Sequence, residues 1–316
     1  MDDLAALVSA ILRSRRIKNR LVILCEGDLL PVGTGGPPSP QTYRRLEAMP
    51  DANFYKACVP NDWQGDRLPQ FFSCGGRSQV IQVYQALLEE HRLASETSYL
   101  TPDKLYALVD LDIQANEMPE GYPWRTTEDV HATLYENGLI KGDPDAGHRI
   151  WVTALVHKEA FFFLPATEAV WRDETSAFFD GAPLALRNVH TAIAQRLTTD
   201  ADLARHLHVV KKRVGRFEAG AALTCVDGDT LCTSWLAAAQ SATDDNAYDG
   251  LVRALLAVAK VKPLWSKILP NPRWEADMRA DHFREQLALI IGGSIAKLAP
   301  EAHPLAGFFA WLKPRR

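Results

Sequence analysis

The first half of the chain alternates short apolar runs with amphipathic stretches. Residues 3–15 carry apolar side chains at helical spacing, whereas residues 21–24 form a continuous apolar run, typical of a strand covered on both faces. Similar runs predict further strands at residues 54–59, 105–109 and 150–156. Helices are predicted to begin at Ser39-Pro40, at about Ser78, and at Thr126 or Thr127, the last ending near Gly138.

This order of elements predicts the fold class. Strands that alternate with helices form βαβ units, whose right-handed crossovers build a mostly parallel sheet with helices on both faces. After about residue 165 the pattern becomes helical, in segments 183–197, 229–242, 250–260 and 282–299. We therefore expect an α/β domain over residues 1–164. An α-helical subdomain over residues 165–316 is expected to pack against the sheet and to bind a partner or substrate.

Composition narrows the class of protein. Of the 316 residues, 47% are hydrophobic and 23% are charged, which is typical of a globular protein and not of a disordered one. The net charge of −4 gives no bulk attraction to nucleic acid, so such binding would need a local basic surface or a bridging metal. Five cysteines without C-x-x-C spacing indicate a reduced, intracellular protein.

Carboxylates stand at the ends of two predicted strands. Glu26 follows the run at 21–24, and Asp110 and Asp112 follow the run at 105–109. Because functional groups collect at the carboxyl ends of parallel strands, we expect these three side chains to share one site. Ionised carboxylates near a core persist mainly when they are paired or metal-bound, and oxygen ligands suit a hard divalent cation such as Mg²⁺.

Glu26-Gly27 ends an early strand, and Asp110-Leu111-Asp112 ends a later one. This order resembles the Toprim domain of topoisomerases, primases and OLD-family nucleases. The resemblance extends to a subgroup that includes the nuclease component of PARIS-type anti-phage defence. That subgroup has a Gly-Gly-basic-x-x-Val helix start, matched here by residues 75–80. It also has an acidic residue before an aromatic-Leu segment, matched by Glu159.

The resemblance implies a Toprim-type endonuclease that depends on Mg²⁺ or Mn²⁺, with Glu26 as a metal ligand or general base. Asp110 and Asp112, two residues apart at a strand end, can both reach one ion, and Glu159 is expected to help hold a second. Such ions neutralise charge that develops on the phosphate and position the attacking water. The polar triplet at 157–159 leaves a surface position for His157 and Glu159 as the alternative.

Two groups of basic residues are candidates for contact with the substrate. Arg77 lies near a turn and a predicted helix start, where it could contact a phosphate. Lys211, Lys212 and Arg213 form the densest basic cluster and could bind a nucleic-acid backbone. The alternative for this cluster is a solvated helix face. The aromatic residues at 161–163 are interpreted as core or as a subunit interface.

Three residues depart from the Toprim pattern in ways that argue against the chemistry of topoisomerases. Leu30 occupies the place of a second acid in the first motif, and Ile113 and Gln114 follow Asp112 where topoisomerases continue with x-x-Gly. These differences argue against topoisomerase chemistry. Asp-x-Asp also opens haloacid-dehalogenase phosphatases, although Gln114 stands where those enzymes have Thr or Val. A phosphatase and a catalytically silent protein-interaction module are the alternatives to a nuclease.

The resemblance also implies partners. The substrate is expected to be DNA or RNA, with tRNA indicated by the likeness to the PARIS-type nuclease. The chain contains no intact ATP-binding motif, which fits a bacterial defence effector controlled by a separate ATPase of the OLD or ABC type. A homodimer is compatible with these features. The first 20 residues have neither a signal-peptide nor a membrane-span pattern, so we expect a cytoplasmic protein without membrane contact.

Overall fold

The computed structural model describes residues 2–28, 49–63, 68–273 and 279–315. It divides the chain into two compact units, each built from separate stretches of sequence. The first unit comprises Met1–Val109, Asp145–Trp151 and Phe308–Arg316, and the second comprises Asp110–Pro144 and Val152–Gly307. The helix predicted to begin at Ser39-Pro40, and the position of Leu30, lie outside the described residues.

Strands and helices alternate first, and helices dominate afterwards. The strands in the described residues are β1 (Val22–Cys25), β2 (Gln70–Ser73), β3 (Leu105–Val109), β4 (Tyr135–Glu136), β5 (Leu139–Ile140), β6 (Ile150–Val152), β7 (Phe178–Phe179) and β8 (Ala182–Pro183). The α-helices there are α1 (Asp2–Leu12), α2 (Pro50–Ala57), α3 (Arg77–Leu93), α4 (Thr127–Leu134), α5 (Leu186–Arg196), α6 (Ala201–Arg205), α7 (Leu207–Val214), α8 (Gly228–Ser241), α9 (Asp245–Leu256), α10 (Lys262–Trp265), α11 (Ala280–Ile295) and α12 (Pro304–Leu312). A 3₁₀ helix covers Lys158–Phe163.

Four of the strands form one parallel sheet, in the order β2-β1-β3-β6. The register pairs Cys25 of β1 with Ser73 of β2 on one side and with Leu108 of β3 on the other. Every residue of β1 and β3 is buried, as strands covered on both faces require. The α/β class with a mostly parallel sheet is therefore confirmed, as is the strand predicted at 105–109.

Aromatic side chains near the C-terminal end of the described residues pack against the sheet of the first unit. Trp311 lies edge-on to Tyr106 of β3, with ring centroids 5.8 Å apart. Phe309 meets Phe71 of β2 in the same way, at 6.3 Å. Helix α3 packs against β1 and β3. Because edge-to-face aromatic pairs add to the free energy of apolar burial, these contacts hold the strand that precedes Glu26 in place.

The second unit is mainly helical, as the sequence predicts for residues beyond 165. Phe161, Phe162 and Phe163 are buried there, as expected of core residues. Phe162 contacts Trp265 at a centroid distance of 4.6 Å, and Phe163 stacks on Trp171 at 5.8 Å. This aromatic cluster anchors the 3₁₀ helix that begins directly after His157.

Two predicted elements are wrong. Residues 54–59 were expected to form a strand, but Pro50–Ala57 is a helix with proline in its first turn, and the strand is Gln70–Ser73. A short apolar run cannot distinguish a strand from a buried helix by periodicity alone. The helix expected to end near Gly138 ends at Leu134, and Asn137-Gly138 forms the turn between β4 and β5, with both residues at positive φ.

Histidines in the core of the second unit are held in their neutral form. His190 Nε2 donates to the carbonyl of Phe163 at 2.6 Å, and its Nδ1 accepts from the hydroxyl of Tyr248 at 2.9 Å. Burial lowers the pKa of His190 to about 4 and the pKa of His303 to about 3. Protonation of either ring would place a charge in the core.

We expect the protein to lose stability as the pH falls below about 6.5, the ordinary pKa of histidine in an unfolded chain. Because the folded-state pKa values of His190 and His303 are lower, their contribution is complete above pH 6.5 and is lost towards pH 4. Each should contribute about 1.4 kcal/mol per pH unit in that window. Unfolding followed by circular dichroism should show a shallower slope for His190→Gln, and an unchanged slope for the exposed His208→Gln.

Candidate functional site

The Asp-x-Asp segment opens the second unit directly after β3. The backbone N–H of Leu111 donates to the hydroxyl of Thr153 at 3.0 Å. The backbone N–H of Asp112 donates to the carbonyl of Val156 at 3.3 Å. These two bonds hold the Asp-x-Asp segment beside the residues that follow β6.

The same bonds bring His157 and Glu159 close to Asp110, because His157 follows Val156 directly and Glu159 lies two residues further on. His157 Nδ1 lies 3.7 Å from Oδ2 of Asp110. Asp110 and Glu159 are only 6% and 7% exposed, and the side chain of His157 is 12% exposed. The alternative interpretation of His157 and Glu159 as surface residues is therefore wrong.

Two carboxylates are thus buried near each other. Burial raises the pKa of Asp110 and the charge of Glu159 raises it further, whereas His157 and Lys262 lower it. Glu159 Oε1 lies 3.8 Å from Nζ of Lys158. Glu159 Oε2 is buried and has no hydrogen-bond partner within the described part of the chain. A buried polar atom of this kind costs free energy, and it needs an explanation such as an ion or a functional role.

Asp112 has a left-handed backbone, with φ of 51°. Among residues other than glycine, Asp and Asn adopt this conformation most readily. Its carboxylate interacts with Arg213, because the charge of Asp112 acts to raise the pKa of that guanidinium against the larger, opposing effect of burial. Asp112 therefore links the acidic segment to a neighbouring ionic network.

That network is built on Glu128, in the first turn of α4. Arg213, which is fully buried, donates from Nε and Nη2 to Glu128 Oε1 at 2.8 and 2.5 Å. Arg216 Nη1 donates to Glu128 Oε2 at 3.2 Å. Arg213 Nη1 also reaches the carbonyl of Ala257 at 3.2 Å. Because Arg213 donates two hydrogen bonds to one oxygen of Glu128 and both side chains are buried, we call the Arg213–Glu128 pair a structural lock.

His131 connects the network to the residues beside the Asp-x-Asp segment. Burial, with the charges of Arg213 and Arg216, lowers the pKa of His131 to about 3, so the ring is neutral near pH 7. Its Nε2 lies 3.2 Å from the carbonyl of Ala154 and must therefore donate to it. Nδ1 is then the acceptor for Arg216 Nη1, at 3.2 Å. Tyr135 adds a second anchor, since its hydroxyl donates to the carbonyl of Val152 at 2.8 Å.

The three predicted basic contacts of α7 are in different environments. Lys211 and Lys212 are exposed, whereas the guanidinium of Arg213 is enclosed with Glu128. A fully buried, paired guanidinium does not present its donors to a substrate in solvent. Lys211 and Lys212 remain candidates for phosphate contact, and Arg213 is part of the structural lock.

In the first unit the Glu-Gly and Gly-Gly motifs meet. Gly27 N donates to the carbonyl of Gly75 at 3.0 Å, and Gly75 N donates back to Gly27 at 2.9 Å. Gly27 has φ of 153°, and a Cβ at this position would lie 2.2 Å from Oδ2 of Asp51. Glu26 is half-buried beside this bridge, and Arg77 is the half-buried first residue of α3. Asp51, which approaches Gly27 most closely, belongs to no motif in the sequence.

The predicted site residues therefore fall into two sets. Glu26 and Arg77 belong to the first unit, and Asp110, Asp112 and Glu159 belong to the second, where hydrogen bonds bring the segments that carry them side by side. Among the described residues, no group of three or more His, Cys, Asp and Glu side chains is arranged as a metal centre.

Comparisons with protein families, with curated proteins and with solved structures gave no match to this chain. Within the described ranges, no helix has the length and apolar character needed to cross a bilayer.

We expect Gly27→Ala to destabilise the first unit by about 1–3 kcal/mol, because the new methyl group clashes with Asp51 and the backbone favours glycine. Urea unfolding would measure this loss. Gly142→Ala is the control, since nothing lies within 4 Å of the Cβ it would add and its φ is not positive. Equal effects of the two changes would contradict the close approach of Asp51.

Arg213→Met should lower the free energy of unfolding by about 3–5 kcal/mol, because it removes one partner of a buried ion pair and leaves Glu128 poorly compensated. Lys212→Met, one residue earlier on the same helix but exposed, should change it by no more than about 0.5 kcal/mol. Chemical denaturation of both variants checks the expectation. A loss for Lys212→Met as large as that for Arg213→Met would show that the structural lock is not what stabilises α7.

Proposed function

We propose that the chain is a Mg²⁺- or Mn²⁺-dependent nuclease that hydrolyses phosphodiester bonds in nucleic acid. One observation carries the proposal. Asp110 and Glu159 are buried in one unit, burial and then the charge of Glu159 raise the pKa of Asp110, and Glu159 Oε2 has no hydrogen-bond partner in the described residues. Perturbed, incompletely satisfied carboxylates are typical of catalytic sites.

The donor set suits a hard cation. Mg²⁺ is usually held by one or two carboxylates together with water and substrate phosphate oxygens, so it does not require a complete cage of protein ligands. Asp110 and Glu159 would hold the ion together with water and phosphate oxygens. A place for Asp112 among the ligands rests on its spacing from Asp110 in the sequence. When bound, the ion would offset the repulsion between the carboxylates and supply charge neutralisation at the phosphate.

The chain's own residues have separate tasks in this proposal. His157 faces the carboxylate of Asp110 and limits its rotation. Lys158 and Lys262 supply positive charge beside Glu159 and Asp110, where a phosphate would approach. Lys211 and Lys212 are exposed and could bind the backbone of a longer nucleic acid.

The remaining parts of the proposal rest on the sequence resemblance. They are a Toprim-like identity for the sheet, a catalytic role for Glu26, a phosphate contact for Arg77, and a place in anti-phage defence under the control of a separate ATPase. Glu26→Gln tests the second of these, because a metal ligand or general base tolerates loss of its charge poorly.

Asp110→Asn, Asp112→Asn and Glu159→Gln should each reduce metal-dependent cleavage of plasmid DNA or total tRNA by more than about 100-fold, since each removes a charged oxygen ligand. Asp110→Asn should keep or raise the melting temperature, because it removes a carboxylate that burial disfavours. Glu136→Gln, an exposed acid of the same unit, is the control and should leave cleavage unchanged.

A second readout does not depend on activity. Millimolar Mg²⁺ or Mn²⁺ should raise the melting temperature of the wild type and not that of Glu159→Gln. Full cleavage by Asp110→Asn and Glu159→Gln would reject the nuclease site. Release of phosphate from a phosphomonoester without cleavage of nucleic acid would instead favour a phosphatase, and no response to metal would favour a silent interaction module.

A further inference from the structure

The segment that links α1 to β1, residues 13–20, contains five basic residues among eight. Its course is fixed by apolar neighbours, because Leu12, Ile17 and Leu21 are buried in the core of the first unit. Four of its basic side chains are exposed, namely Arg13, Arg15, Arg16 and Lys18. The sequence pattern therefore holds this segment against the core while it leaves positive charge on the surface.

Hydrogen bonds hold the segment in a defined conformation. A 3₁₀ helix covers Arg15–Ile17, and the backbone N–H of Lys18 donates to the carbonyl of Arg15 at 3.3 Å. Tyr99 fastens the segment to the rest of the unit: its backbone N–H donates to the carbonyl of Leu12 at 2.9 Å, and its hydroxyl accepts from Arg15 Nε at 3.3 Å. Because side chains three residues apart eclipse in a 3₁₀ turn, with a rise of about 6 Å, Arg15 and Lys18 lie on one side of it.

Three of the exposed cations have no acidic partner. Arg13, Arg15 and Lys18 form no ion pair in the part of the chain that the structure describes, and the hydroxyl that Arg15 contacts is uncharged. Arg16 and Arg20 have contacts of their own, so their charges are not counted as available. An exposed cation without an acidic partner keeps its attraction for an anion in solution.

The topology of the sheet adds positive charge at the same place. Parallel strands begin at one edge of a sheet, and Lys104 and Arg149 directly precede β3 and β6 there. Lys104 Nζ donates to the carbonyl of Asn19 at 3.0 Å, which joins it to the segment at 13–20. Arg149 is already engaged, since its Nη2 lies 3.7 Å from Oδ1 of Asp103. We name the four available cations the basic edge: Arg13, Arg15, Lys18 and Lys104.

Three exposed acids belong to the surroundings of the basic edge. Glu90 lines the same cavity between α1 and α3 as Arg13, Glu96 lies three residues before Tyr99, and Asp103 directly precedes Lys104. Seven basic residues lie at this edge when the whole segment, Lys104 and Arg149 are counted. The acids therefore leave an excess of four positive charges here, in a chain whose net charge is −4.

The chemistry of the segment selects the kind of anion. Guanidinium groups match phosphate oxygens in geometry, and a nucleic acid backbone presents phosphates in a continuous row. A segment that binds a membrane surface inserts apolar side chains beside its basic ones. Here the apolar side chains of Leu12, Ile17 and Leu21 are buried in the core instead. A nucleic acid backbone therefore fits this surface better than a lipid surface does.

We propose that the basic edge binds the phosphate backbone of a nucleic acid, without regard to base sequence, as a contact separate from Glu26 and Arg77. This inference deepens the proposed nuclease function and rests on it for the role of the nucleic acid as substrate. The four residues of β1 separate the basic edge from Glu26 by about 13 Å, at about 3.3 Å per residue. A substrate that reaches both must span at least about four nucleotides, at about 3.4 Å each.

Fluorescence anisotropy of a labelled DNA duplex and of labelled poly(U), in EDTA to prevent cleavage, tests the proposal with the full chain. The triple change Arg13→Gln, Arg15→Gln and Lys18→Gln should weaken duplex binding at least about 10-fold in about 0.1 M salt. It should also make the slope of log affinity against log salt shallower by about 2.7, at about 0.9 per phosphate contact, and by about 2.1 for poly(U). Melting temperatures close to that of the wild type show that the variant is folded.

A matched pair of lysines separates a local contact from an effect of net charge. Lys18→Gln and Lys297→Gln each remove one exposed positive charge, the first from the basic edge and the second from the second unit. Lys18→Gln should make the salt slope for the duplex shallower by about 0.9, whereas Lys297→Gln should leave it unchanged. Equal effects of the two changes would show that net charge governs binding, and this would overturn the inference.

The remaining outcomes also decide the matter. Wild-type protein that binds neither nucleic acid, or a triple variant that binds with wild-type affinity and salt slope, would overturn the inference. Binding of phosphatidylserine vesicles or poly(glutamate) in place of nucleic acid would assign the basic edge to a membrane or to an acidic protein and would overturn it as well. Binding that the triple change weakens supports the inference even if the wild type cleaves nothing with Mg²⁺, and that second result would reject only the nuclease proposal.

Discussion

Two hydrogen bonds donated by backbone N–H groups position the Asp-x-Asp segment of the second unit: Leu111 N donates to the side-chain hydroxyl of Thr153, and Asp112 N donates to the carbonyl of Val156. They join segments that lie more than 40 residues apart in the sequence. As a consequence, the carboxylate of Asp110 and the residues that follow Val156 are buried together. Both donors are backbone groups, so the bonds hold the Asp-x-Asp segment beside residues 153–156 despite the repulsion between carboxylates, and the first of them depends on the hydroxyl of Thr153.

The network around Glu128 supports the same segment from another side. Its one carboxylate lies between the guanidiniums of Arg213 and Arg216, which leaves one positive charge in excess. The charge of Asp112 acts on Arg213 and offsets part of that excess. His131 joins this network to the backbone of residue 154. Its neutral ring donates from Nε2 to the carbonyl of Ala154 and accepts at Nδ1 from Arg216. The Asp-x-Asp segment therefore lies beside a hydrogen-bonded ionic network whose charges nearly balance.

The sequence predicted what depends on local pattern, including β3, the helical second half and the acids at strand ends. It could not distinguish helix from strand in the short run at 54–59, and it missed the Asn137-Gly138 turn, although Asn-Gly is a strong hairpin signal. Arg213 offered another signal that was missed. It stands three and four residues after the buried Val210 and Val209, so helical periodicity places it on the inner face of α7. The approach of Glu159 to Asp110 depends on tertiary hydrogen bonds, which no local pattern encodes.

Three features that each cost free energy belong to the Asp-x-Asp segment and Glu159 of the second unit. The backbone of Asp112 is left-handed, the pKa of Asp110 is raised by burial, and Glu159 Oε2 has no hydrogen-bond partner in the described residues. A module that only bound a partner protein would gain nothing from these three costs, because apolar residues at the same positions would stabilise the fold. Natural proteins retain local conflicts of this kind mainly where function requires them. The coincidence of all three beside a motif selected from the sequence for its chemistry therefore favours a catalytic role over a structural one.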